Sequence, residues 1–572
     1  MRTEYCGKLN LLHVNKLVTI YGWVNNFRNL GNLIFIDVRD NEGIIQVKFN
    51  IKEKKIFNIA SKLRNEFCIK ITGIIKLRDK KNQNKDKNTG KIELIPNKLI
   101  VINKSEPLPI NISKENSEDL RLKYRYLDLR SEKMTRIIKI RSKIMYLIRK
   151  FMKKNNFLEI ETPLLTKSTP EGARDYLIPS RIHKNKYYAL PQSPQLFKQL
   201  FMISGLDKYY QIAKCFRDED LRSDRQPEFT QIDIEASFIT AKQIKKITEK
   251  MIKMLWKKIK NIKLKKFKKI SYKKSLKLYG TSKPDLRIPI KIIDIKDIIE
   301  QSNLKKTQKN NRIAAISIPE GIKLTNKKIN YYNSFLKKYN INKLFWIKII
   351  KIEHQNNQIK TPLKNIISEN ILNNIINRTK AKNGDIIFFI DEKYDIATKA
   401  LGKLRNKISK DLHLINQSLW KPIWITKFPL FKINSDYTIS SMHHPFTAPL
   451  KNITIKKLKN KPNKIISNSY DMIINGYEIG GGSVRINNIK MQKTIFNILG
   501  INDKEQNEKF GFFLDALRYG TPTHAGIAFG LDRIVMLLGN TNNIRDTIAF
   551  PKTTKASCLL TGAPTNILNN NY

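Results

Sequence analysis

Between Phe216 and Glu235 the chain reads FRDEDLRSDRQPEFTQIDIE, and from Gly526 to Arg533 it reads GIAFGLDR. The first stretch sets Arg217, Glu219 and Phe229 on two apolar-flanked segments joined by a charged loop. That hairpin-like layout offers a cation, a carboxylate able to take a metal, and an aromatic face. The second stretch ends a small, glycine-rich apolar run in Arg533. A nucleoside triphosphate with its metal needs these features: positive charge for phosphates, a carboxylate for magnesium and a flat partner for the base. Each piece alone is weak, because a strand phenylalanine is usually core and a single arginine is usually a solvated surface charge. A third piece is RIIKIRSKIMYLIRKFMKKNN (Arg136–Asn156), whose apolar residues have helical spacing. It leads into FLEIETPLL (Phe157–Leu165), read as a strand that ends at Pro163.

The elements that must position these residues follow a definite order. Over residues 1–104, VTIYGWV (Val18–Val24), LIFIDV (Leu33–Val38), IIQVKF (Ile44–Phe49), FCIKITGII (Phe67–Ile75) and IELIPNKLIVI (Ile92–Ile102) alternate with turns. Such a run of short strands suits a small Greek-key barrel of the oligonucleotide-binding type, an SH3-like or sandwich module being the alternative. Residues 105–135 are polar and proline-containing and read as a hinge. A catalytic domain begins over 136–287 and resumes over 420–572. Between them, 288–419 has the texture of an α+β insertion: RIAAISI (Arg312–Ile318), LFWIKII (Leu344–Ile350) and DIIFFID (Asp385–Asp391) alternate with lysine- and asparagine-rich helical stretches.

Composition narrows the class. A chain of 572 residues exceeds one core, so several domains are expected. No apolar run reaches the length of a membrane span, and MRTEYCGKLN has no apolar signal core, so a cytoplasmic protein with no membrane partner is expected. Cys6, Cys68, Cys215 and Cys558 form no CxxC pair, and the seven histidines show no metal-ligand spacing, which argues against structural zinc or a disulfide framework. The formal charge of +59 favours a polyanionic partner, although lysine, asparagine and isoleucine are inflated even in loops such as KKNQNKDKNTGK (Lys80–Lys91).

A helix running to Pro163, then FRDE with its partner strand, then GLDR, resembles the ordered signature motifs of class II aminoacyl-tRNA synthetases. With an N-terminal barrel it is similar to the aspartyl/asparaginyl/lysyl subgroup. TPEGARDY (Thr169–Tyr176), LPQSPQLFKQ (Leu190–Gln199), SMHHPFTAP (Ser441–Pro449) and YEIGGGSVRI (Tyr477–Ile486) resemble segments of the bacterial aspartyl enzymes, as does the large insertion. The resemblance covers nearly the whole chain. It implies an OB-fold anticodon-binding domain, an antiparallel-sheet catalytic domain and an α+β insertion of the GAD type.

The family pattern also implies roles. Arg485 and Lys198 would hold the side-chain carboxylate of L-aspartate, with Asp233 and His443 close by, while Glu171 and Gln195 would take its ammonium, with Ser193 on the same wall. An arginine fork suits a carboxylate, and Arg485 stands downstream of three consecutive glycines that permit close approach. Arg217 would bridge the ATP α-phosphate and the substrate α-carboxylate. Glu219, Asp471 and Glu478 would serve Mg2+, Phe229 would stack on adenine, and Arg533 would hold the distal phosphate. Asp218, Gln226 and the run Gly530, Leu531, Asp532 would complete the nucleotide site. His444 is read as structural, and Thr166–Tyr176 as a lid.

The reaction implied is attack of the aspartate α-carboxylate on the α-phosphorus, releasing pyrophosphate, then attack by the tRNA 3′ ribose hydroxyl. It rests on alignment and charge neutralisation rather than a protein nucleophile. In the barrel, Arg28, Phe35, Gln46 and Glu93 would meet anticodon bases, and Leu30 fits the branch restricted to tRNA(Asp). A homodimer through the helix–strand region of the first motif is expected. The alternatives are an enzyme that also charges tRNA(Asn), a non-catalytic tRNA-binding relative, and a lysyl or asparaginyl enzyme. A lysine pocket would need acids where Arg485 and Lys198 stand.

Overall fold

The computed structural model describes residues 1–169, 172–221, 224–302, 310–352, 357–434, 436–451 and 453–566. The chain divides into two compact units. One comprises Met1–Lys139 with Ala549–Thr553 and the segment from Ser557; the other comprises Ile140–Ile548 with Thr554–Ala556.

In the first unit five strands close into a barrel: Leu17–Asn29, Leu33–Arg39, Ile44–Asn50, Ile92–Asn103 and Cys68–Leu77, in that spatial order. Alternation drives the closure. Val18, Ile20 and Val24 of the first strand point inward to meet Ile34, Ile36, Val47, Ile71 and Leu94, while the residues between them face outward. Each strand is longer than its sequence-based bounds. The helix Lys54–Ser61, which buries Phe57 and Ala60, was not anticipated; at eight residues it is too short to show a periodic signal. The polar stretch expected as a hinge contains two short helices, Glu118–Lys123 and Arg125–Asp128, the first capped by Ser117.

The second unit is built on an eight-stranded sheet. Its order is Lys268–Ser271, Pro422–Thr426, Ser469–Ile474, Tyr477–Val484, His524–Gly530, Glu228–Ser237, Lys208–Phe216 and Leu158–Glu159. The sheet is mixed rather than wholly antiparallel: the pairings at its two ends are parallel and the inner ones antiparallel. The helix Glu132–Lys154 begins a turn before its expected start. The strand expected over Phe157–Leu165 shrinks to Leu158–Glu159. It is an edge strand pairing only with Tyr209 and Tyr210, and Pro163 has no N–H with which to extend the ladder.

The insertion has its own five-stranded antiparallel sheet, ordered Ile292–Asp294, Asn311–Ile318, Ile386–Lys393, Phe345–Lys351, Gln358–Lys360. Apolar clusters cover both faces, which explains why its central strands read as nearly unbroken hydrophobic runs. Arg405, on the helix Tyr394–Asp411, is fully buried and ties the insertion to the chain entering it. Its Nε donates to the carbonyl of Ile290 at 2.7 Å and its Nη2 to those of Asp285 and Ile288 at 2.7 and 3.2 Å.

Candidate active site

Antiparallel pairing of Glu228–Ser237 with both Lys208–Phe216 and His524–Gly530 brings segments separated by three hundred residues to one cavity of about 630 Å³. Arg217, Arg485 and Arg533 all line it. So do Ser193, Gln195, Lys198, Glu219, Gln226, Phe229, Asp233, His443, Asp471, Glu478, Gly530 and Asp532. Two residues from the sequence reading do not: Asp218 is exposed, its N–H bonded to the carbonyl of Arg174, and Leu531 is buried in the core. Glu171 lies outside the described residues.

At one side of the cavity four buried charges form a closed set. Arg485 donates from Nε and Nη2 to the two oxygens of Glu235, at 2.9 and 3.0 Å. Lys198 pairs with Asp233 and, at 3.3 Å, with Glu235. All four side chains are at most 2% exposed. Burial opposes the charge on Glu235, but Arg485 and Lys198 outweigh it and hold its carboxyl below the ordinary range. Burial leaves Asp233 above that range despite Lys198.

Lys198 and Arg485 are therefore already neutralised inside the protein. Arg485 Nη1 meets His444 Nε2 at 2.6 Å and Ser483 Oγ at 2.7 Å, so among the described residues four of its five N–H groups are engaged and one remains for a ligand, and Lys198 keeps at least one of its three. A guanidinium can only donate, so His444 Nε2 accepts and the ring is neutral. Burial and the adjacent Arg485 hold its pKa well below the usual histidine value. Glu235 itself does not line the cavity and was not singled out from the sequence. Its signal was present: in TQIDIE, Gln231, Asp233 and Glu235 alternate with isoleucines, which puts three polar groups on one face of a buried strand. Gly526 lies opposite, and a Cβ there would stand 1.9 Å from Glu235 Oε2, so only glycine leaves room for this carboxylate.

The same region presents unsatisfied polar atoms. Among the described residues Gln195 Nε2, Arg217 Nε, Asp233 Oδ2 and His443 Nδ1 are buried without a hydrogen-bond partner. Such atoms are costly unless something polar meets them. Two are certain donors and one is a carboxylate acceptor, a set matched to a zwitterion.

Farther along the wall, His443 Nε2 stands 3.1 Å from Asp471 Oδ1. Burial alone would lower the His443 pKa, but Asp471 raises it above the usual value. Asp471 and Glu478 occupy neighbouring strands at a β-bulge and flank one point: a Cβ on Gly481 would lie 2.9 Å from Asp471 Oδ1 and 3.6 Å from Glu478 Oε1. Burial and the Glu478 charge raise the Asp471 carboxyl. Burial works against the Glu478 charge, while Lys283, 2.6 Å from Glu478 Oε2, brings its pKa below the usual value. Two converging carboxylates on a cavity wall fit magnesium, which commonly takes one or two carboxylates plus substrate oxygens. Glu219 is engaged by Arg225 at 2.8 Å. Among the described residues no three acidic, histidine or cysteine side chains converge as a ready metal group.

Two further cations, Arg217 and Arg533, line the same cavity. The Arg217 guanidinium lies 5.0 Å from the ring centre of Phe229, so these two are packed together rather than free. Arg533 Nη1 donates to the carbonyl of Glu478 at 3.0 Å, and Nη2 to Asp224 at 3.3 Å. Asp532 beside it anchors the start of the helix Leu531–Gly539 by accepting from the N–H of Thr230 at 3.0 Å and from Arg141. Asp224, Arg225 and Lys283 were not among the sequence candidates. A charged loop residue carries no periodic signal, and only its partner's position reveals it.

On the barrel, Arg28, Phe35, Gln46 and Glu93 form one outward cluster. Arg28 Nη2 donates to Gln46 Oε1 at 3.1 Å, and Gln46 Nε2 donates to Glu93 Oε2 at 3.1 Å. The Arg28 guanidinium lies 5.8 Å from the Phe35 ring centre. Phe35 is half-buried and pairs across strands with Arg28 and Lys48, while its neighbours Ile34 and Ile36 fill the core. An aromatic face with polar edges on a barrel exterior can stack and hydrogen-bond an unpaired base.

Comparison with known proteins agrees with this geometry. Residues 117–554 match the family described as tRNA synthetases class II (D, K and N), and residues 18–102 match the OB-fold nucleic acid binding domain. A protein of Buchnera aphidicola subsp. Acyrthosiphon pisum (strain APS) named aspartate–tRNA ligase is 56% identical over 574 residues, covering 100% of this chain and 98% of its own length. One of Haemophilus ducreyi with the same name is 51% identical over 569 residues, covering 99% and 96%. The crystal structure of asparaginyl-tRNA synthetase from Pyrococcus horikoshii complexed with asparaginyl-adenylate shares the fold. Its TM-score is 0.61 at 20% identity, covering 97% of this chain and 98% of that one. Barrel, sheet, cavity and sequence together place this chain among the class II tRNA synthetases of the D, K and N group.

Proposed function

We propose that the protein is an aspartate–tRNA ligase, activating L-aspartate with ATP and transferring it to the 3′ end of tRNA(Asp). The observation that carries the reading is the closed set Lys198–Asp233–Glu235–Arg485. Among the described residues it leaves at least one donor open on each of its two cations, in a cavity that Arg217 and Arg533 also line. Those two cations meet the side-chain carboxylate, while the substrate ammonium finds Asp233 Oδ2, with Gln195, Ser193 and His443 on the same cavity wall and Glu171 assigned to the ammonium by the family pattern alone. A lysine side chain would face Arg485 and Lys198 with like charge. An asparagine amide would bring N–H groups to the same donors. Both are disfavoured by several kcal/mol at a buried site.

Arg217 Nε lacks a partner and is the group for the substrate α-carboxylate and the ATP α-phosphate, so that nucleophile and phosphorus share one cation. Phe229 offers its ring to adenine, with Gln226, Gly530 and Asp532 on the same cavity wall, and Arg533 takes the distal phosphate. Asp471 and Glu478, with Glu219 lining the same cavity, would hold magnesium, which supplies charge neutralisation across the phosphates when bound. The fixed charges keep the α-carboxylate in line with the α-phosphorus as pyrophosphate departs, and the tRNA hydroxyl then attacks the mixed anhydride, releasing AMP.

We assign residues 1–104 to anticodon binding through Arg28, Phe35, Gln46 and Glu93, and residues 105–135 to the hinge. Catalysis falls to 136–287 with 420–572, and the insertion spans 288–419. Exposed Tyr146, Leu158, Leu164 and Leu165 support a homodimer through the first motif, and the reading implies a cytoplasmic enzyme. The test is ATP–pyrophosphate exchange with aspartate, asparagine and lysine in parallel, then charging of purified tRNAs. Exchange with aspartate alone is expected, and Arg485→Leu should abolish aspartate use while ATP binding stays within about threefold. Exchange with none of the three, or equally with another, refutes the assignment.

A further inference from the structure

The segment Gly280–Arg287 links the helix Tyr272–Tyr279 to the insertion and brings one lysine to the cavity wall. Lys283 Nζ stands 2.6 Å from Glu478 Oε2, where Glu478 and Asp471 flank a common point. The backbone on either side of it is fixed. Ser275 Oγ donates to the carbonyl of Thr281 at 2.7 Å, and the Lys283 N–H donates to Thr281 Oγ1 at 3.1 Å. Downstream, Asp285 chelates Arg287, lies against the Asn475–Gly476 turn that joins the two carboxylate strands, and is held by its carbonyl to buried Arg405. The lysine side chain is 46% exposed. A rigid backbone thus carries a mobile ammonium on a four-carbon arm.

We infer that Lys283 is a nucleotide-binding residue that doubles as an internal counter-ion. Without nucleotide its ammonium neutralises Glu478 at the place a divalent cation would take. When metal and ATP enter, it leaves Glu478 for the terminal phosphate oxygens, so cation entry and phosphate capture are one exchange. The inference rests on the ligase reading above. It adds that the insertion, through Arg405 and Asp285, sets where this ammonium starts.

The test compares the full chain with Lys283→Met and Lys283→Arg, using Mn2+ alone as the probe, read by electron paramagnetic resonance without nucleotide. Removing a competing, half-exposed ammonium should tighten Mn2+ binding about two- to fivefold in Lys283→Met. In pyrophosphate exchange the same variant should raise the KM for ATP about tenfold or more through loss of a charge-assisted phosphate contact. Aspartate KM should change less than about twofold, and Lys283→Arg should restore the ATP KM to within about threefold. Unchanged or weaker Mn2+ binding in Lys283→Met, or an unchanged ATP KM, overturns the inference while leaving the ligase reading intact. A wild-type chain that performs no exchange refutes both.

Discussion

Replacing Glu235 with glutamine changes one charge and almost no volume, and the structure says where the cost falls. In the parent, two carboxylates balance two cations at positions no more than 2% exposed. The variant leaves that set with a surplus positive charge, and the new amide NH2 must face either Arg485 or Lys198. Removing one member of a buried pair costs about 3–5 kcal/mol. Here the pair is bidentate with a second cation in contact, which argues for the upper half of that range. For a unit of this size the melting temperature should drop by at least about 5 °C. Substrate supplies the missing negative charge, so saturating L-aspartate should recover at least about half of the deficit, beyond the usual ligand stabilisation of about 2.7 kcal/mol at a hundredfold excess over Kd. Differential scanning fluorimetry with and without aspartate measures both numbers. A melting temperature within about 1 °C of the parent, or a deficit that aspartate leaves unchanged, would refute the argument that this carboxylate balances the pocket.

Two further outcomes are expected. In Gly481→Ala the new methyl carbon would stand 2.9 Å from Asp471 Oδ1 and 3.6 Å from Glu478 Oε1. The half-saturating magnesium concentration in pyrophosphate exchange should therefore rise about tenfold or more, and an unchanged magnesium requirement would contradict the metal assignment. Lys245, pressed by burial and by Lys269, has its pKa lowered from 10.5 to about 8. The unfolded chain thus binds more protons across that interval, and stability should rise with pH through it. Lys245→Met should melt higher than the parent at pH 7, with the difference shrinking above pH 8; a lower melting temperature at pH 7 counts against it.

What could be read beforehand follows the physics of each element. The barrel was legible because its strands alternate, and the insertion's central strands because both faces are covered and they read as apolar runs. Phe229, Arg217 and Arg533 were legible because they sit at ordered positions in long motifs. The edge strand after Phe157 was over-read, since apolar residues there have no partner to pair with in the described chain. Glu235 was hidden because a carboxylate behind a pocket wall makes no demand on spacing beyond its parity with Asp233. Lys283 was hidden because its ion pair is closed by Glu478, far away in sequence, and Arg225 because it pairs with Glu219 inside one charged loop that has no periodic pattern.

The strand His524–Gly530 lies between Tyr477–Val484 and Glu228–Ser237, so it is the only seam joining the two halves of the eight-stranded sheet among the described residues. During synthesis the half that carries Arg217 and Phe229 emerges some three hundred residues before its neighbour exists. Its inner edge, with unpaired amides and apolar side chains, stays open until His524–Gly530 leaves the ribosome. Translation therefore imposes a waiting period on the nascent enzyme, during which that edge is a template for pairing with other chains.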